Sequence, residues 1–352
     1  MKKNSKNIFI LTIVFVLALG MYSLNSSDSY ARDQLRIVGS STVYPFAAAV
    51  AEEFGKKTGF KTPVIESTGS GGGLKLFCAG VGVEHPDITN SSRRIKKSEV
   101  DRCNENGISE ITEVKIGFDG IVIANSLKGP DINLSLRYIW LALAERVPDS
   151  SGNLVNNPYK KWKDIDLSLP DLNIEVLGPP PTSGTRDAFV ELAMEGGCKT
   201  FTEIAAMKKT DKKAFKSVCH TIREDGRFVE AGENDNLIVQ KLDANPSAFG
   251  VFGYSFLEQN KDKVKGSKVN EAVPSFDNIS DSTYPISRSL FFYVKNAHVG
   301  FVPGIKEYLA EFTDEDTWGD FGYLGDKGLI SLPEGDRQEI KNTVLSLTPL
   351  KM

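Results

Sequence analysis

The chain has 352 residues, a formal net charge of −4 and no basic tail or basic run. That balance argues against a nucleic-acid partner, which would require a concentrated positive face. The roughly 320 residues beyond the first 31 are too many for one compact core, so two lobes are expected.

Residues 1–31 read as an export signal. Lys2, Lys3 and Lys6 form a basic start, and Ile8 to Tyr22 is a nearly unbroken apolar run. Ser29-Tyr30-Ala31 offers small residues at the two positions a signal peptidase reads, so cleavage is expected after Ala31. An uncleaved N-terminal anchor is the alternative, although the run is short for a membrane span. No cysteine follows the run, which argues against a lipid anchor. The expected location is extracytoplasmic, in a periplasm. The four cysteines, Cys78, Cys103, Cys198 and Cys219, suit an oxidising compartment. Neighbouring pairing, Cys78 with Cys103 and Cys198 with Cys219, would contribute roughly 3 kcal/mol per bridge. Four free thiols are the alternative. None stands in a C-x-x-C spacing, so zinc and thioredoxin-like roles are not indicated.

In chain order, Leu35 to Val38 reads as a strand, followed by the hydroxyl-rich turn Gly39-Ser40-Ser41-Thr42-Val43-Tyr44-Pro45. Pro45 suits a first helical turn, and Phe46, Ala47, Val50 and Phe54 repeat at helical spacing, with Gly55 or Gly59 as the stop. Thr62 to Glu66 is a second strand, and Ser67-Thr68-Gly69-Ser70-Gly71-Gly72-Gly73 is a turn whose glycines let a backbone approach a ligand closely. It lacks the Lys-Ser/Thr of a P-loop, and Thr68 stands where a serine-hydrolase elbow needs glycine. Pro86 to Arg94 is another polar turn, with Arg93 expected inward and Ser98 capping a short helix. Glu113 to Asn125 reads as two strand segments broken at Asp119-Gly120. A carboxylate there needs a partner; a plain turn aspartate is the alternative.

Helices are expected over Leu134 to Glu145 and in a hairpin between Cys198 and Cys219. Between them lies Glu175-Val176-Leu177, a short strand, then Gly178-Pro179-Pro180-Pro181-Thr182-Ser183-Gly184-Thr185-Arg186. Ser183 is a good N-cap, so free N–H groups gather at Gly184, Thr185 and Arg186. Hydroxyls, free amides and a fixed charge suit a tetrahedral anion. Further on, Glu230 to Asn236 caps a helix, Phe249 to Tyr254 and Tyr284 to Val294 are strands, and Ile305 to Phe312 and Arg337 to Leu347 are helices. Strands alternating with helices indicate an α/β fold with mainly parallel sheets, whose ligands sit beyond the strands' carboxyl ends. His85, His220 and His298 are scattered, so no metal site is readable and each is expected to be structural or at the surface. No nucleophile with a base can be nominated, so no catalytic residue is assigned and binding is expected rather than catalysis.

Several runs carry a resemblance in their order and separation: G-S-S-T-V-Y-P (Gly39 to Pro45), S-T-G-S-G-G-G (Ser67 to Gly73), N-S-S-R (Asn90 to Arg93), D-G-I (Asp119 to Ile121), S-G-T-R-D-A-F (Ser183 to Phe189) and A-N-P-S-A-F-G-V-F-G-Y (Ala244 to Tyr254). Over nearly the whole exported chain the sequence resembles the periplasmic phosphate-binding proteins of high-affinity phosphate ABC importers. The resemblance implies a type II periplasmic binding protein fold, with two α/β lobes joined by crossing strands. The lobes would be residues 32–121 with 290–352, and residues 122–289, hinged near Ile121 to Ala124 and Ile286 to Leu290. It implies phosphate held by Ser41, Thr42, Val43, Ser70, Ser183, Gly184 and Thr185. Ser92 stands where many members carry the aspartate that accepts the phosphate proton, and Pro179 where many carry an arginine. Arg93 and Arg186 are therefore expected to supply the charge and Asp119, or else Asp87, the acceptor. Inorganic phosphate and an ABC permease are the implied partners, with no cofactor, and a monomer is expected. The alternatives are a receptor for sulfate, molybdate or a phosphonate, a secreted phosphate-ester hydrolase, and a surface adhesin.

Overall fold

Short strands that run straight into helices set the architecture. A computed structural model describes residues 32–232 and 235–352; the export-signal expectation lies outside them. β1 (Arg36–Gly39) leads to α1 (Tyr44–Lys57), β2 (Val64–Ser67) to α2 (Ser70–Phe77), and β3 (Ile88–Ser91) to α3 (Lys97–Glu105). Pro45 opens α1, and Phe46, Ala47, Val50, Ala51 and Phe54 form its buried face. The helix passes through Gly55 and ends at Lys57, where the Thr58 hydroxyl donates to the Phe54 carbonyl at 2.7 Å. Gly71 to Gly73 lie inside α2 and not in a ligand turn. Gly73 is there for packing, because a Cβ on it would lie 2.5 Å from Gly39 Cα. Lys96, and not Ser98, precedes α3, and its amide donates to the Glu99 carboxylate.

The chain continues through β4 (Ile111–Ser126), β5 (Val176–Gly178), α4 (Gly184–Phe189), β6 (Phe228–Glu230), α5 (Asp235–Ala244), β7 (Phe249–Gly253), α6 (Tyr254–Gln259), β8 (Val264–Gly266) and β9 (Ser287–Lys295). These strands form one curled sheet in the order β2-β1-β3-β9-β4-β7-β5-β6, with β8 also on β4. The two ends are parallel: β1 with β2 and β3, and β5 with β6 and β7. The centre is antiparallel, with β9 on both β3 and β4, and β7 and β8 on β4.

β4 is continuous through Asp119-Gly120, where a break was expected. The strand changes partner there instead: residues up to Gly120 pair with β9, and residues from Ile121 pair with β7. No break is required because Asp119 lies opposite Arg288 in the β4–β9 register, so the buried carboxylate meets a cation across the strands.

Three apolar cores form among the described residues. The largest gathers residues from Phe118 to Ile286, with Ile330 and Leu332. A second joins β1 and α1 to the apolar side of β9 and to the helix Ile305–Phe312. A small third one lies under α2 and α3 and contains Cys78 and Cys103. Disulfides link Cys78 to Cys103 and Cys198 to Cys219, the expected pairing, across 25 and 21 residues. The second ties Cys198, at the end of the helix Glu195–Cys198, to Cys219 in Lys212–His220 and so closes the base of the hairpin that Lys212–His220 forms with Thr202–Thr210. No helix among the described residues is long and apolar enough to cross a membrane.

Candidate functional site

At both ends of the sheet the parallel strands finish in polar turns. β1, β2 and β3 run in register, so the turns after Gly39, Ser67 and Ser91 are neighbours. β5, β6 and β7 likewise bring together the turns after Gly178, Glu230 and Gly253. A cleft of about 550 Å³ draws on both groups. Its lining includes Thr42 after β1, Asp119 on β4, Ser183 to Thr185 after β5, Asp235 after β6, and Lys327.

The two groups of turns touch. A Cβ on Gly184 would lie 3.4 Å from the Ser41 carbonyl and 3.6 Å from Thr42 Cα, so the start of α4 rests on the turn after β1. Ser183 caps α4 as expected, its hydroxyl accepting from the Thr185 amide at 3.2 Å. Ser40 is buried, and its hydroxyl accepts from the Val43 amide at 3.4 Å.

The cation at this junction is Arg288, on β9. Its side chain is 10% exposed. Nε donates to Asp119 Oδ2 at 3.3 Å, Nη2 to Thr42 Oγ1 at 2.6 Å, and Nη1 to Glu191 Oε2 at 2.7 Å. Burial pushes the Asp119 carboxyl above its ordinary pKa, opposed by the Arg288 charge.

Both arginines expected from the sequence are committed elsewhere. Arg93 makes a two-pronged ion pair with Glu99, at 2.9 and 2.8 Å. Its fork fits that carboxylate at the start of α3. Arg186 donates to the Pro179 carbonyl at 3.0 Å, and its guanidinium stacks 4.4 Å from the Phe228 ring centroid. Asp119 is not a spare acceptor, because Arg288 holds it. Asp87 is fully buried away from the cleft, 2.7 Å from His298 Nδ1 and bonded to the Arg36 amide. His298 is the buried structural histidine expected, its Nε2 accepting from the Gly82 amide. Ser70 and Ser92 do come together: the Ser92 amide donates to the Ser70 hydroxyl at 3.0 Å, and the two hydroxyls lie 3.1 Å apart.

Sequence reasoning missed Arg288 and Asp235. Arg288 lies in a run read only as a strand; a charge in so apolar a segment was the available signal. Asp235 is 6% exposed, and Oδ2 accepts from the Gly253 amide at 3.1 Å. No lysine or arginine among the described residues pairs with it. Burial pushes its carboxyl up to about 6.

A curled α/β sheet with a cleft lined by the turns that follow its parallel strands is the architecture of a solute-binding protein of the periplasmic type. The chain belongs to the PBP superfamily domain family, which matches residues 25–316, and within it to the phosphate-binding protein PstS family. It is 30% identical over 301 residues to the phosphate-binding protein PstS of Staphylococcus haemolyticus, covering 84% of this chain and 80% of the relative. It is also 30% identical to Protein SphX of Synechococcus elongatus over 73% of this chain, a stretch spanning 66% of that relative. Among solved structures, a possible phosphate binding protein from Planctomyces limnophilus matches with a TM-score of 0.70 at 25% identity, covering 90% of this chain and 98% of that one. An ABC-type phosphate transport receptor from Vibrio cholerae shares the fold, with a TM-score of 0.55 at 21% identity, over 85% of this chain and all of the other.

Proposed function

We propose that this chain is an extracytoplasmic receptor that captures inorganic phosphate and delivers it to the permease of an ABC importer. The observation that carries the reading is the position of Arg288, a buried guanidinium held by Asp119 and Thr42 where the Gly184 turn meets the Ser41 turn. A preorganised cation beside a helix start offers charge and directed donors to a dehydrated anion. The relatives named phosphate-binding protein PstS support phosphate as that anion.

In this reading the donors are Ser41, Thr42 and Val43 from one side and Ser183, Gly184 and Thr185 from the other. The Ser70–Ser92 hydroxyl pair serves from the neighbouring strand ends. Arg288 supplies the charge in place of Arg93 and Arg186, and Asp119 positions it. Asp235 is the acceptor for the phosphate proton. Sulfate, with no proton, would set its own charge against that carboxylate and be refused. The chain acts by binding alone, as a monomer exported through cleavage after Ala31. Residues 32–121 with 290–352 move against residues 122–289, and β4 and β9 bend where β4 changes partner.

Isothermal titration of the phosphate-free protein with phosphate, sulfate, molybdate and a phosphonate tests this. Tight binding of phosphate alone is expected. Preference for another anion assigns the receptor to that ligand, and turnover of a phosphate ester would overturn the non-catalytic reading.

A further inference from the structure

We infer that Glu191 is a built-in competitor for the anion: its carboxylate pairs with Arg288 and is expelled when the ligand arrives. The inference rests on reading the cleft as an oxyanion site. It concerns a residue to which that reading gives no role.

Arg288 presents its donors in a fixed fork. Nε and Nη2 bind Asp119 on β4 and Thr42 after β1, both largely buried. The third bond differs in kind. Nη1 donates to Glu191 Oε2 at 2.7 Å, yet the Glu191 side chain is 57% exposed while Arg288 is 10% exposed. A carboxylate reaching in from water therefore terminates the one edge of the guanidinium that no buried group claims. A carboxylate and a tetrahedral oxyanion ask the same thing of an arginine, acceptor oxygens set to match its fork.

The chain position makes the exchange mechanical. Glu191 lies in a π-helical turn, Val190–Met194, that continues directly from α4. Such turns insert one residue into a helix and are frequent at functional sites. The segment whose first turn carries Ser183 to Thr185 thus also carries the carboxylate that pairs with the cation. An arriving dianion brings more charge and more acceptors than Glu191, and Glu191 has only to swing into solvent to yield. When the ligand leaves, the tethered carboxylate recaptures Arg288 at high effective concentration. Glu191 should therefore weaken every anion by a similar factor and speed release.

The test measures inorganic phosphate affinity and dissociation rate for the wild type, Glu191→Gln and Glu191→Ala, at low and at physiological ionic strength. The side chain is exposed, so both variants should fold, and matching thermal melts check this. Both are expected to bind phosphate about two- to fivefold more tightly with slower dissociation, the gain shrinking as salt screens the competing pair. Weaker binding in both variants would overturn the inference and make Glu191 a positioning residue for Arg288. Unchanged affinity at low salt would overturn it too. A wild type that binds no phosphate would instead remove the receptor reading beneath it.

Discussion

Replacing Arg288 with alanine separates the guanidinium's two roles. Its removal leaves Asp119, 14% exposed, with no cation at 3.3 Å and deprives Thr42 of its 2.6 Å donor. Breaking a buried ion pair from one side typically costs about 3–5 kcal/mol, because the other charge stays buried and uncompensated. For a chain of this size that corresponds to a fall in Tm of roughly 5–7 °C. Phosphate would also lose a charge-assisted donor worth about 1.5–3 kcal/mol, roughly 10- to 150-fold in Kd. The double change Arg288→Ala with Asp119→Asn dissects the two effects. It should recover most of the Tm, since no charge is stranded, and none of the affinity. Calorimetric melts and phosphate titrations in phosphate-free buffer provide both numbers. If Arg288→Ala binds phosphate within twofold of wild type, the guanidinium does not touch the ligand. If the double variant regains affinity, the single variant's loss was structural.

Three further outcomes follow from the same geometry. Gly184→Ala should be tolerated, since its Cβ meets Ser41 and Thr42 only at van der Waals distance. Gly184→Val adds two methyl groups to that contact and should weaken phosphate binding about tenfold or more, roughly 1.4 kcal/mol, at nearly unchanged Tm. Asp235→Asn acts on stability and selectivity together. With its carboxyl raised to about 6 in the folded chain, Asp235 contributes stability that is fully present below the ordinary carboxyl range and lost as pH rises through 6. The variant should therefore melt higher than wild type at pH 8, by up to roughly 3 kcal/mol, and lose this advantage near pH 4. It should also admit sulfate; continued exclusion would remove Asp235 from the selective role. Glu195 runs the opposite way. Its bonds to His220, Lys199 and Lys208, against the cost of burial, hold its carboxyl well below the usual range. That stability is present above the ordinary carboxyl pKa and lost as pH falls through the folded value, so Glu195→Gln should flatten the acid limb of a melting-temperature profile.

Local signals were written plainly in the chain. Pro45 at a helix start, the Ser183 N-cap and the near-neighbour cysteine pairs are each settled by residues a few positions or one loop apart. The sequence also carried the strand–turn–helix rhythm and the run order that fixes the family. Tertiary structure decided which charges meet. Arg93 and Arg186 stand beside the right motifs, yet a carboxylate at the start of α3 and an aromatic ring on β6 claim them. Arg288 stands in no motif and bonds two residues of the cleft wall, Asp119 and Thr42, because the β4–β9 register sets it opposite Asp119. Register between strands about 170 residues apart is a long-range property, chosen by burial of whole strand faces. A charged side chain's partner follows from that choice, and no window of sequence contains it.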